Sequence, residues 1–316
     1  MDNDIKNLRE KLFSREFSKF CRKEFSKIIK CPMDQRKAKE ELLKKIVLLM
    51  LVFGSICYLY IFFICGKISI TLDFIVLAIV LFLVVIFVCK ILYPHFVLNL
   101  IYQQKVKDII IPKILSYVGD FKMIDPYDNI YRVRKIVSSS KLFEDIKEFA
   151  CDDFIVGTYK GIKIRIAEVS LNYGSKISEG SPFSGLFVSF EMSKEFPTEI
   201  IILGNKEKYD KPKNRVYLED STFEKIYDVY SPDQIEARKI MTPSFMERLV
   251  RYSKIKKWDI TLSVESNRIN VAIKSVKNWF YIDTSYAASN ANSYRRFLLD
   301  IIHVLSIVEL LKIDNI

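Results

Sequence analysis

Two uninterrupted apolar runs dominate the hydrophobic pattern of this chain. Ile46 to Cys65 is twenty residues without a charge, and Phe74 to Cys89 is sixteen. At about 1.5 Å per residue, a helix over the first run spans about 30 Å, the hydrocarbon thickness of a bilayer. The second run reaches that length if it extends through Ile68–Leu72 or Ile91–Tyr93. Together they predict a two-helix transmembrane hairpin over residues 46–93, with spans at about 46–65 and 70–91. The link around Gly66-Lys67 is short enough to force the two helices antiparallel. Neither run carries a charge at its centre, which suits an anchor better than a pore.

Beyond Tyr93 the pattern becomes that of a folded domain, residues 94–316. Residues 97–118 read as helix. Strands are predicted at Ile130–Ser138, Phe183–Met192, Glu199–Leu203, Arg215–Leu218 and Phe223–Val229. Asp153–Thr158 and Gly161–Leu171 form a predicted hairpin around Tyr159-Lys160-Gly161. Trp258–Val264 and Ile269–Ile273 alternate apolar and polar residues across a four-residue turn, which predicts a second hairpin with one face on a core. Helix signals follow a different spacing. Ser231-Pro232 with Gln234 reads as a capping box, Thr242-Pro243 repeats the cap-then-proline start, and Tyr294–Lys312 has apolar residues at helical intervals. The fold class expected is α+β: a transmembrane hairpin followed by a cytoplasmic domain with a mainly antiparallel sheet and packed helices.

Residues 1–45 are a third region, basic and amphipathic. Phe13, Phe17, Phe20 and Phe25 share a helical face with Cys21 and Ile28, flanked by Lys19, Arg22, Lys23 and Lys27. The stripe formed by Ile5, Leu8 and Leu12 points elsewhere, so a break is expected near Ser14. Two readings stay open: a helix lying on a membrane surface, or one packed on the chain's own domain.

Charge bears on that choice. The net charge is +11, and residues 1–45 alone hold 14 Lys/Arg against 8 Asp/Glu. A basic excess beside an apolar run favours the lipid bilayer and anionic lipid headgroups as partners, and no nucleic acid is expected. Seven Lys/Arg in residues 26–45, against Lys67 alone in the link, place both termini in the cytoplasm. The six cysteines form no CxxC pair, which suits a reducing compartment. Two histidines, and nine glycines in no phosphate-loop pattern, give no reason to expect a metal or a cofactor.

One residue breaks its local pattern. Period-two geometry puts Glu168 on the apolar face of the strand that holds Ile162, Ile164 and Ile166. A buried carboxylate needs a partner or a raised pKa, and Arg238 or Arg215 could supply the partner. Glu168, Arg238 and Glu236 are therefore the candidate ligand or partner contacts. Three functions compete: a membrane-anchored interaction or scaffold module that binds a cytoplasmic protein or itself, a membrane-associated enzyme using buried carboxylates such as Glu168 and Asp153, and a small oligomeric transport or channel subunit.

The stretches Asp153–Gly157, Ile166–Glu168, Phe183–Phe187, Val229–Arg238 and Thr242–Leu249, in that order, resemble a bacterial membrane-protein family, domain of unknown function 3137. The resemblance covers roughly residues 95–285. It implies two spans before a folded domain, and hence a multi-pass protein of the bacterial inner (plasma) membrane. It implies no activity and no catalytic residues.

Overall fold

A nine-stranded sheet organises the computed structural model, which describes residues 3–26, 44–46, 54, 106–173, 181–204, 214–256, 259–282 and 289–311. The strands are β1 (Asp120–Ile124), β2 (Glu148–Tyr159), β3 (Ile162–Tyr173), β4 (Ser181–Glu191), β5 (Ile200–Gly204), β6 (Arg215–Val216), β7 (Tyr227–Tyr230), β8 (Asp259–Glu265) and β9 (Arg268–Lys274). They pair antiparallel in the order β1-β2-β3-β4-β9-β8-β5-β7-β6. The helices are α1 (Asn3–Phe13), α2 (Arg15–Phe25), α3 (Ile111–Val118), α4 (Ile130–Ser139), α5 (Ser221–Glu224), α6 (Gln234–Ile240), α7 (Pro243–Lys256) and α8 (Asn292–Leu311), with a π-helical turn at Val106–Ile110.

The chain divides into two compact units. One comprises Met1–Phe17, Ile111–Ile282 and Tyr294–Ile316, and the other Ser18–Ile110 and Asp283–Ser293. The first holds the whole sheet. In the second, Phe20 packs edge-to-face on Phe25 at 5.7 Å, and Cys21 and Phe25 are buried.

The expected transmembrane hairpin is corrected. Among the described residues no helix is long and apolar enough to cross a membrane. The runs at 46–65 and 70–91 lie outside the described residues, apart from Ile46 and Gly54. The multi-pass localisation in an inner membrane, with both termini cytoplasmic, loses its support with the hairpin. Hydropathy reports only a preference for apolar surroundings, and a helix must be both long and free of charge to span a bilayer. The twenty-residue α8 shows the difference: it is long, but it carries Arg295, Arg296, Asp300 and Glu309. Mixed helix and antiparallel sheet is what remains of the expected fold class.

Local chemistry explains most elements. β2 and β3 are joined by the two-residue turn Lys160-Gly161, both at positive φ (49° and 79°), the geometry that suits the right-handed twist of a hairpin. Ser266 at φ 50° begins the equally tight β8–β9 turn. Ile130–Ser139 is a helix and not the predicted strand, because Val133 and Val137 fall one turn apart and are buried together. Of Phe223 to Val229, Phe223 and Glu224 end α5, which is capped by Asp220, and the strand begins only at Tyr227. The cap of α6 is Asp233, which accepts from the amides of Ile235 (2.9 Å) and Glu236 (3.1 Å). Ser231, the expected cap, instead donates to the Glu199 carbonyl at 2.6 Å. Thr242 caps α7 as expected, accepting from the Phe245 amide at 3.3 Å. The N-terminal helices break at Ser14.

Each face of the sheet buries a core. On one, α4 covers Phe154, Ala167 and Phe187. On the other lie Ile155, Ile166, Val188, Val271 and Leu262, all buried. The N-terminal helix is tied to the first unit: the Leu12 carbonyl accepts from Arg295 Nε at 3.2 Å, Arg295 stacks over Phe13, and Phe17 lies 5.0 Å from the Tyr117 ring.

Candidate functional site

Side chains in an antiparallel sheet line up in rows across the strands, and rows two residues apart share a face. Three such rows cross the face beneath α4. The innermost is apolar: Ile124, Phe154, Ala167, Phe187 and Ala272. The next runs Lys122, Val156, Arg165, Ser189, Asn270, and the outermost runs Asp120, Thr158, Lys163, Glu191. Thus the face is dry under α4 and turns cationic where the helix ends.

A groove of about 300 Å³ opens at that transition. Ile124 and Val156 form an apolar patch in it, with Lys122 on one side, Lys163 and Arg165 on the other, and Arg132 reaching in from α4. Gly157 keeps it narrow. A Cβ there would lie 2.2 Å from the Phe121 ring and 2.5 Å from the Asp120 carbonyl, so only glycine lets β1 pair this closely.

Glu191 fixes the β3 side. Its carboxylate accepts from Arg165 Nη2 at 2.6 Å and Lys163 Nζ at 3.0 Å, and these bonds hold it below the usual carboxylate range. Arg165 Nη1 is buried and has no hydrogen-bond partner among the described residues. Lys122 and Arg132 are exposed, with no ion-pair partner among the described residues. The groove therefore presents Lys122 from β1 and Arg132 from α4 as exposed cations, facing the Glu191-bound Lys163 and Arg165 of β3.

Glu168 lies on the opposite face. Its Oε1 accepts from the Trp279 amide at 3.0 Å. The next amide, Phe280, donates to Asp300 Oδ2 at 3.1 Å, while Asp300 Oδ1 pairs with Lys277. Two carboxylates thus hold consecutive backbone N–H groups of the strap between β9 and α8. The strap is under local strain, because Phe280 sits at φ 52°. It anchors the fully buried Trp279 and packs Phe280 on Phe297 at 5.9 Å. Burial pushes the Glu168 carboxyl up to about 7; the Trp279 N–H opposes this, and the charges of Asp153, Asp152 and Asp300 add to it. Burial likewise pushes the nearby Cys151 thiol up to about 12.

The expected Glu168–arginine pair does not form. Arg215 binds Glu224 (2.9 Å) and Asp228 (2.7 Å), and Arg238 donates to the Tyr217 carbonyl at 3.3 Å. Glu236 pairs with Lys239 on its own helix at 2.5 Å. α6 follows β7, five strand positions from β3. At about 4.8 Å per strand that is roughly 24 Å. Glu168, Arg238 and Glu236 do not form one site.

Of the N-terminal face, Phe17 and Phe25 are buried, Phe20 is half-buried and Phe13 is 53% exposed, while Lys19, Arg22 and Lys23 are exposed. Lys27 lies outside the described residues. The sequence reading missed the groove. Lys163 and Arg165 alternate with Ile162, Ile164 and Ile166, and that parity was the available signal. Lys122 and Arg132 join them only through the β1–β2 register and through α4.

No curated protein matches the chain. Among solved structures, the crystal structure of the mycobacterial trehalose monomycolate transport factor A, TtfA, aligns at 10% identity and a TM-score of 0.30, covering 58% of this chain and 96% of that one. A superposition that loose supports no conclusion about fold or function. Residues 181–313, from β4 into the end of α8, match the model of a family described as a protein of unknown function, DUF3137. Phe183–Phe187, Val229–Arg238 and Thr242–Leu249 lie within that match, and Asp153–Gly157 and Ile166–Glu168 lie outside it.

Proposed function

We propose that the sheet-bearing unit is a recognition module that binds an anionic group of a partner in the β1–β2–β3 groove. The observation that carries this reading is the meeting of Lys122, Arg132 and Arg165, from two strands and a helix, around an apolar patch. Specific sites combine such a patch with a few directed polar groups. Arg165 is held in place by Glu191, which is how a preorganised cation is supported by its neighbours.

The test is a calorimetric titration of the full chain with glutarate and with inorganic phosphate. The double variant Lys122→Glu, Arg132→Glu reverses two exposed charges and leaves the fold's cores untouched. Binding of at least one anion that is lost in the variant supports the reading. Equal binding by both proteins, or none by either, refutes it.

A further inference from the structure

The lining of the groove has a direction. β1 contributes Asp120, Lys122 and Ile124, successive residues on one face, so the groove runs along the strands. Four residue steps at about 3.4 Å give a length of roughly 14 Å. The cationic walls on β1 and β3 stand two strand spacings apart, roughly 10 Å. The site is a trough and not a round pocket, open along one side.

Its chemistry repeats with the period of an extended chain. Lys163 and Arg165 are separated by one residue of β3, about 7 Å, which is also the distance between alternate side chains of any extended peptide. Across the trough, Lys122 lies in the same row as Arg165. The next row, Ile124 and Phe154, is apolar. An extended segment laid along β2 would therefore meet cations and an apolar step at its own period. Tyr131, 85% exposed, adjoins Arg132 on the first turn of α4. Tyrosine and arginine together are the composition of energetically dominant interface residues.

We propose that the groove takes an extended acidic segment of a partner protein, with a carboxylate between Lys122, Arg132 and Arg165 and an apolar side chain over Ile124 and Val156. This deepens the anion-binding reading and rests on it. The charge balance favours such a partner: Lys122, Arg132, Lys163 and Arg165 outnumber Asp120 and Glu191. Length and period favour a peptide over a compact anion, which would use one end of the trough.

Fluorescence anisotropy on the full chain tests it. The probes are a labelled peptide of about nine residues with two glutamates two positions apart and a valine two positions beyond them, so that all three share one face of the extended chain, the same peptide with glutamine for glutamate, and a single-stranded DNA of similar length. Inorganic phosphate serves as competitor. The acidic peptide should bind at least about tenfold more tightly than its glutamine form, and the Lys122→Glu, Arg132→Glu variant should weaken it by at least about tenfold. The neutral pair Lys122→Gln, Arg132→Gln gives a smaller loss in the same direction, and both variants keep the wild-type melting temperature. If phosphate or DNA binds in a variant-sensitive way and the peptide does not, the peptide proposal fails while the anion site stands. If no probe binds, or the variants bind every probe like wild type, both fail.

Discussion

Glu168→Gln should make this protein more stable above neutral pH. The glutamine keeps an oxygen for the Trp279 amide and removes the ionisable group. The folded state holds the Glu168 carboxyl at about 7, against 4.5 for an unperturbed glutamate. Folding therefore favours the protonated form. The benefit of the neutral carboxyl is complete at low pH and is lost as pH rises from 4.5 through 7. Fully ionised, a group so displaced costs roughly 3 kcal/mol. Its side chain is partly exposed, and solvent screening reduces this to about 1–2 kcal/mol. In a domain of this size that corresponds to roughly 3–6 °C in Tm. Urea and thermal unfolding of both proteins at pH 4 and pH 8.5 would measure it. The two curves should nearly coincide at pH 4 and separate at pH 8.5, with the variant the more stable. A variant that matches wild type at pH 4 and is less stable than it at pH 8.5 would mean that the charge itself holds the strap, and the burial argument would be wrong.

Asp300→Ala leaves the Phe280 amide and Lys277 without their buried acceptor, and should cost about 3 kcal/mol in chemical denaturation. Gly157→Ala drives a methyl into the Phe121 ring and the Asp120 carbonyl; it should cost about 1–3 kcal/mol and also weaken anion binding, because β1 carries Lys122. Asp233→Ala removes the cap of α6 and should lower stability by about 1 kcal/mol with no effect on the groove. Glu191→Gln removes a carboxylate whose pKa is held down by Arg165 and Lys163; its stabilising effect is present above pH 4.5 and fades as pH falls through its lowered value, so wild type and variant should converge in acid melts.

The sheet was largely legible because period-two patterning and tight turns are local. β2 and β3 could be read from Ile162, Ile164 and Ile166 facing one way and from Lys160-Gly161 closing the hairpin. The helix starts were harder. Ser231-Pro232 looks like a cap, but its hydroxyl is drawn off to the Glu199 carbonyl, a contact 32 residues away that no local pattern encodes. α4 was misread because Ile130, Val133, Ile136 and Val137 are β-branched, and only their packing on the sheet decides for helix. Glu168 breaks the apolar pattern of its strand face, but its partner is a backbone amide 111 residues away, which sequence chemistry does not name. The groove was illegible for the same reason. Lys122 and Arg165 are 43 residues apart and become neighbours only through the order β1-β2-β3.

Methyl chemical-shift mapping of the full chain tests the central claim most directly. Ile124 and Val156 report from inside the groove, and buried Val271 and Leu262 report from the opposite core. On titration with the glutamate–valine peptide, the groove methyls should shift saturably in wild type, not in the Lys122→Glu, Arg132→Glu variant, while the core methyls stay still. Shifts confined to other surfaces, or groove shifts that persist in the variant, would contradict it.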